Sequence, residues 1–346
     1  MPFPELTERE RRVLEAVIQS YVETAQPAGS QAIARRFGLG VSPATIRNTM
    51  SDLEEKGLLY HPHTSAGRVP TDVAYRVYVD SLIPLPPMSS LAHDQLSADI
   101  ATGGSAVESI LRRAAQSLGV ITQELGIALG PRLDNSVVER LNLVKLTSER
   151  LLVALTLTGG AVRTIFVEAR GEIADSALAE VTQVLNERIS GLTLREIRTS
   201  LADRLRDTGP TRDAAELLNV FIEEGEQLFE TALQGENDVL MGQPSLLAEQ
   251  PEFSSVDNMR KLVALTETRE HLADLLRHRS DMPGITISIG NEHRDPKLEN
   301  FTIVTAQYRS GAVTGVIGVI GPTRMPYDKV ISLVTHTSRL LTDLLE

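Results

Sequence analysis

Ser42–Gly57, SPATIRNTMSDLEEKG, is the stretch whose reading decides the fold. Ser42 is a good N-cap, Pro43 suits the first helical position, where no backbone N–H is needed, and Gly57 suits the end. The spacing predicts one short helix with divided faces. Ile46, Met50 and Leu53 recur at i, i+4, i+7 and point to a core. Ala44, Arg47, Asn48 and Ser51 lie on the other side, flanked by Thr45, and are small or hydrogen-bonding. Arg can pair with guanine and Asn with adenine through two hydrogen bonds each. The acids Asp52, Glu54 and Glu55 fall in the later half, where such a helix would leave a DNA groove.

The flanks complete a pattern. Upstream, Leu6, Val13, Leu14, Val17, Ile18, Tyr21 and Val22 mark an amphipathic helix within 6–25, started by the capping-box pair Thr7 and Glu10. A short helix fits Ser30–Phe37, broken by Gly38-Leu39-Gly40. Downstream, Leu58–His61 reads as a strand, Pro62–Gly67 (PHTSAG) as a loop and Arg68-Val69-Pro70 as the return strand. Helix, short helix, glycine turn, capped polar helix and hairpin wing, in that order, make a winged helix-turn-helix, whose second paired helix puts its N-terminal half into the major groove. The candidate DNA contacts are therefore Ser42, Ala44, Thr45, Arg47, Asn48 and Ser51 on the helix. In the wing they are His61, His63, Thr64, Ser65 and Arg68, suited to phosphate or minor-groove contact. The plainer alternative for Arg47, Asn48 and Ser51, a solvated helix face, is disfavoured by the wing and the preceding helix pair. His61 and His63 have no cysteine and no carboxylate pair beside them to complete a metal site, and no metal is expected. Arg35-Arg36 fits a surface pair as well as a backbone contact.

Composition sets the bounds. The chain has 346 residues, 42% of them hydrophobic, enough for two or three domains. There is no cysteine, which excludes a disulfide scaffold and thiolate chemistry. Net charge is −12, yet residues 1–80 carry nine Lys/Arg against ten Asp/Glu, and residues 30–70 are mildly basic. A weakly charged reader of DNA has little non-specific affinity and depends on dimerisation and specific contacts. Tryptophan is absent and aromatics are 4%, which argues against single-strand stacking platforms. The opening MPFPELTERERR has no apolar segment of the secretory type, and no apolar stretch approaches ~18 residues. The expectation is a cytoplasmic, nucleoid-associated protein with no membrane partner.

Beyond the wing, the proline-rich Ile83–Ser90 reads as a linker. A helix is expected near Val107–Leu118, a hairpin from Val137–Leu146 and Leu151–Leu157, a strand at Val162–Glu168 and a helix at Ser176–Ile189. From about Leu194 to Arg279 the pattern is mostly helical, with helices at Ala214–Leu233 and Val256–Arg279 and a possible strand at Val239–Met241. Strands resume at Ile285–Ile289, Phe301–Tyr308 and Ala312–Ile320, and Tyr327–Leu345 closes as an amphipathic helix. This predicts an α+β domain with an insertion. Gly315, Gly318 and Gly321 imitate a dinucleotide fingerprint but lie in an apolar strand ending at Pro322. Pairs such as Glu223/Glu224 and Asp203/Asp207 read as solvated helix faces. No catalytic constellation emerges, so neither an enzyme nor a cofactor is expected.

Five segments carry a resemblance to a known family: LTERERRVLEAVIQSYVETAQPAGS, VSPATIRNTMSDLEEKGLLYHPHTSAGRVPT, YRVYVD, IGNEH and GVIGVIGPTRMPYDKVI. They resemble the heat-inducible transcription repressor family HrcA over nearly the full length; HTSAGRVPT and GPTRMPY are the specific parts. Ala74 departs from the glycine usual there, and 194–279 matches loosely. The resemblance implies a multidomain α+β protein: a winged helix-turn-helix over 1–82, a linker over 83–104, a GAF-like α+β domain from 105–193 and 280–346, and an inserted, mostly helical dimerisation domain over 194–279. It implies negative regulation of chaperone operons by a homodimer on an inverted-repeat operator in double-stranded DNA, with activity linked to the GroE chaperonin. The alternative is a regulator that senses a small molecule in the GAF-like domain. A linker would let the two DNA-binding heads adjust, and loss of dimer packing on heating would weaken the second head's attachment through effective concentration.

Overall fold

Thr7 and Glu10 bond each other's backbone N–H groups, at 2.8 and 3.3 Å, and so start the first helix. In chain order the elements are α1 (Glu8–Thr24), α2 (Ser30–Phe37), α3 (Pro43–Glu55), β1 (Leu59–Tyr60), β2 (Val69–Pro70), α4 (Asp72–Val77), a π turn (Tyr78–Leu82), α5 (Val107–Thr122), β3 (Leu125–Leu129), β4 (Val138–Lys145), β5 (Arg150–Leu157) and β6 (Val162–Glu168). Then come α6 (Asp175–Ile189), α7 (Leu194–Leu205), α8 (Arg212–Gln234), β7 (Leu240–Met241), α9 (Ser245–Ala248), α10 (Val256–Glu267), α11 (Arg269–Ser280), β8 (Ile285–Ile289), a 3₁₀ turn (Gly290–His293), β9 (Phe301–Ser310), β10 (Val313–Pro322) and α12 (Tyr327–Leu345). The computed structural model describes residues 4–63, 67–82, 96–100, 107–131, 133, 136–158, 162–169, 173–234, 239–267, 269–293, 295–311 and 313–345. The linker expected at Ile83–Ser90 lies outside them; of 83–104, residues 96–100 are helical, with Leu96 and Ile100 buried.

The chain divides into two units: 1–128 with 240–307 and 317–340, and 129–239 with 308–316 and 341–346. The stretch 194–279 is shared between them, α7 and α8 falling in the second and β7 to α11 in the first. In the first unit a five-stranded sheet runs in the order β7-β3-β10-β9-β8. Its two described edge pairings are antiparallel, Ile127 opposite Met241 and Ile287 opposite Val304. Phe301, Ile303, Val304, Ile317, Val319 and Ile320 are buried in β9 and β10. β3 was not expected: all five of its residues are buried, so it lacks the alternation that marks a half-exposed strand. Gly318 lies in β10 with no room for a side chain, 2.1 Å from the Val304 carbonyl oxygen at the Cβ position, as a packed strand rather than a phosphate loop requires.

The second unit is an antiparallel sheet, β4-β5-β6, with Leu143 opposite Val153 and Val153 opposite Ile165. Its inner face joins one apolar core with Val181 and Leu185 of α6, Ile197 and Leu201 of α7, and Leu218 and Phe221 of α8. Asn186 pins α6 to β4, accepting from the Leu141 N–H at 2.8 Å and donating to its carbonyl at 2.7 Å. On the outer face Val144, Val162 and Phe166 are exposed, Phe166 by 62%.

Within the first unit the winged helix is held by direct side-chain contacts to the β8–β10 region, not only by the chain that follows it. Arg76 of α4 grips Glu292 with two N–H groups, at 2.7 and 2.6 Å, and donates to the Ile287 carbonyl at 2.8 Å. Asp72 accepts from both the backbone N–H and the side-chain amide of Asn291, at 3.1 and 3.0 Å. Arg324 pairs with Glu252 and donates to the Val22 carbonyl in α1. Tyr75 and Tyr327, both buried, pack with their rings tilted by 40° and centres 5.6 Å apart. The sequence suggests heads free to adjust on a linker; these contacts instead fasten the head to the body.

Candidate nucleic-acid interface

Helix α3 forms because its first turn is satisfied twice over. Ser42 is extended and accepts from the Thr45 N–H at 3.1 Å, and Pro43 lacks the N–H that would be orphaned. The Ser42 and Thr45 hydroxyls lie 2.9 Å apart. Ile46, Met50 and Leu53 are buried as the spacing predicts, and Thr49 joins them, its hydroxyl donating to the Thr45 carbonyl at 3.1 Å. The helix rests on α1, α2 and β1.

The opposite face is open. Ser42, Ala44, Arg47 and Asn48 are exposed, and Thr45 and Ser51 are half-buried. Arg47 and Asn48 make no hydrogen bond or ion pair to other described residues. A guanidinium and an amide thus stand together on the first two turns of a capped helix, within reach of base edges if the helix enters a groove. The six helix candidates are brought together on this surface.

The wing splits the remaining candidates. Leu59 pairs with Pro70 and Tyr60 with Val69. His63 is exposed beyond β1, whereas Thr64 and Ser65 lie outside the described residues. His61 and Arg68 have a second occupation. Glu54 of α3 accepts from Arg68 at 2.8 Å and lies 2.9 Å from the His61 ring nitrogen Nδ1. Arg68 also reaches the Ser51 hydroxyl at 3.4 Å, and its backbone pairs both ways with Ala28. The Arg68 side chain is only 12% exposed. The sequence suggests a phosphate contact at Arg68; in the structure its side chain also ties the wing to α3. Glu54 was missed as a working residue. Its opposite charge to His61 and Arg68, with the three on a helix and both strands of the following hairpin, was the available signal.

A second tie fixes the far end of α3. The Lys56 ammonium bonds the Glu10 carboxylate at 2.7 Å and the Glu5 carbonyl at 2.9 Å. This bond, helped by the Thr7 N–H, holds the Glu10 carboxyl below its ordinary range against the opposing effect of burial. Among the described residues no group of three or more His, Cys, Asp or Glu could hold a metal, and no helix is long and apolar enough to cross a membrane.

The family model described as the winged helix-turn-helix transcription repressor, HrcA DNA-binding, matches residues 5–81, and that for the HrcA protein C terminal domain matches 108–331. A heat-inducible transcription repressor HrcA from Chlorobium phaeobacteroides (strain BS1) is 40% identical, covering 99% of each chain. A protein of the same description from Geobacter sulfurreducens is 37% identical, again covering 99% of each. A solved structure described only as a hypothetical protein at 2.2 Å resolution shares the fold, with a TM-score of 0.65, 23% identity and 99% coverage of each chain.

Proposed function

The chain belongs to the HrcA family of heat-inducible transcription repressors, and on that premise we propose that it silences chaperone operons as a homodimer on an inverted-repeat operator, under control of the GroE chaperonin. It is a DNA-binding repressor and not an enzyme. The observation that carries the reading is the open face of α3, with Arg47 and Asn48 exposed side by side on the turns that follow the Ser42 cap. Ser42, Ala44, Thr45 and Ser51 complete the major-groove surface, while His63 and the wing tip with Thr64 and Ser65 reach the backbone or minor groove. His61 and Arg68 support the wing through Glu54.

Two recognition helices related by a twofold axis match an inverted repeat. We assign dimerisation to the inserted region 194–279; outside it, the row Val144, Leu152, Phe166 across β4–β6 presents further apolar side chains that a second copy would cover. The working place is the cytoplasm, on the nucleoid. The chaperonin would recognise repressor that has lost its fold, so that its supply of folded dimer falls when heat-damaged clients compete.

The test is a gel-shift series with the inverted repeat, a half-site and scrambled DNA. Preference for the repeat over the half-site by orders of magnitude is expected; equal affinity for scrambled DNA sinks the reading. Repeating the series across temperature without chaperonin separates direct heat sensing, in which dimer and affinity are lost together below global unfolding, from sensing through the chaperonin alone.

A second reading, a regulator responsive to a small molecule, is favoured by one feature. A polar cleft of about 440 Å³ in the first unit is lined by Tyr21, Tyr60, Asn258, Asn291 and Asn300 among others. Mass spectrometry of the native protein, showing a bound compound whose removal changes operator affinity, would establish it.

A further inference from the structure

Three of the segments singled out in the sequence, YRVYVD, IGNEH and GPTRMPY, play no part in reading bases. They meet at one place. YRVYVD supplies Tyr75 and Arg76; IGNEH supplies Asn291 and Glu292; GPTRMPY supplies Arg324 and Tyr327. The contacts fall at three separated points on the winged helix: Val22 towards the end of α1, Asp72 at the start of α4 and Arg76 a turn later. A body held at three separate points resists rotation more than one held at a single point. The bonds also resist small tilts. Arg76 meets Glu292 as a fork with two parallel bonds, which fixes direction as well as distance. Arg324 joins Glu252 in the same two-bond manner and uses its remaining reach for the Val22 carbonyl. Between them the Tyr75 ring packs at a tilt against Tyr327, whose hydroxyl is held by Thr302 at 3.1 Å and donates to the Thr323 carbonyl at 2.7 Å.

Gly290 shows how closely the two parts are fitted. A Cβ there would lie 2.2 Å from the Asp72 carboxylate, and the backbone is left-handed, with φ +51°. Residue 290 is a glycine because the head's acid occupies the space where a side chain would stand. The recognition surface lies elsewhere, on the first half of α3, and its side chains are not used by the seam.

We propose that Arg76, Arg324, Asp72 and their body partners Glu292, Glu252 and Asn291 are positioning residues that lock the angle of each DNA-binding head and thereby make the repressor selective for the spacing between operator half-sites. The inference rests on the dimeric, inverted-repeat reading above. Half-site spacing is a geometric demand, because each added base pair displaces and rotates the second site about the DNA axis. A head locked on the body of its own unit satisfies fewer spacings than a head on a loose tether, which satisfies several at lower effective concentration.

The experiment measures full-length repressor on a set of operators whose central spacer is natural, or one or two base pairs longer or shorter, beside an isolated half-site. Arg324→Gln and Arg76→Gln are compared with the parent. Arg324→Lys and Arg76→Lys keep the charge but lose the fork, and serve if a glutamine variant does not fold. For the parent, a two-base-pair change should weaken binding by at least about tenfold, as the loss of simultaneous engagement requires. In the variants this ratio should fall to about threefold or less while half-site affinity stays within about twofold, since no base contact is touched. Restoring the ion pair in reversed order, Glu252→Arg with Arg324→Glu, should recover part of the ratio. Variants that keep the parent's spacing ratio overturn the positioning role alone. A parent that binds the half-site as tightly as the repeat, or is indifferent to spacing, overturns the dimer reading and the positioning role with it.

Discussion

The winged helix has two polar faces built on opposite terms. On its outward face Arg47 and Asn48 are exposed and make no hydrogen bond or ion pair to other described residues. On its inward face Asp72 and Arg76 are each met by an amide or a carboxylate at 2.6–3.1 Å, and Tyr75 is buried on Tyr327. The difference separates two uses of the same chemistry. Polar groups already satisfied within the chain define a geometry, whereas those left to water are available for another molecule to be recognised by.

The comparison breaks first at Tyr75. Truncating a buried aromatic costs about 3–5 kcal/mol, so Tyr75→Ala should lower the urea-unfolding stability by that order. A stable variant that merely fails to bind DNA would show that the inward face is not a packed interior. Tyr75→Phe sharpens the point: its buried hydroxyl has no hydrogen-bond partner among the described residues, so removal should be neutral or stabilising. On the outward face Arg47→Ala or Asn48→Ala should each cost about 1–3 kcal/mol of specific operator binding, read by competition against scrambled DNA, with unfolding unchanged.

Next in size is a pair of pH effects of opposite sign. Glu124 is buried beside Gln250, and burial pushes its carboxyl well above the ordinary range. The folded state therefore holds the proton more tightly. Its contribution is complete below the ordinary carboxylate value and is lost as pH rises through the raised one, with a slope of up to about 1.4 kcal/mol per pH unit. Glu10, held low by Lys56, does the reverse: its contribution is present above the ordinary value and lost as pH falls through the lowered one. Urea unfolding followed across pH should lose, in Glu124→Gln, the decline in stability that sets in above the ordinary carboxylate value, and part of its acid slope in Glu10→Gln. Ser42→Ala removes a helix cap and should cost about 1 kcal/mol of stability, with operator binding weakened because the same turn carries the recognition surface. The smallest effect is expected at the exposed pair Arg112–Glu108. Arg112→Ala should change stability by no more than about 0.5 kcal/mol.

The recognition helix was legible because its information is local: a cap, a proline, a seven-residue apolar spacing and a glycine all lie within Ser42–Gly57. Strands with one covered face were equally plain, and Val162–Glu168 and Ile285–Ile289 have the expected limits. Leu125–Leu129 was not, since burial on both faces removes the period. The helical pattern of Val256–Arg279 hid an interruption, and the structure has two helices, Val256–Glu267 and Arg269–Ser280. The seam was illegible for a different reason. Arg76 and Glu292 are 216 residues apart, and no local pattern tells an arginine which distant carboxylate it will find. The partner of Arg68 was hidden for the same cause: a basic residue in a wing suggests phosphate, and only the fold shows that it also meets Glu54.

The tight fit of Asp72 against Gly290 has an evolutionary corollary. Neither position can drift alone: any side chain at 290 collides with the carboxylate, and loss of the carboxylate leaves the Asn291 amide groups without their acceptor. A side chain at 290 therefore demands that the acid move or go, and losing the acid gives up one of the three fastenings while Arg76 and Arg324 keep theirs.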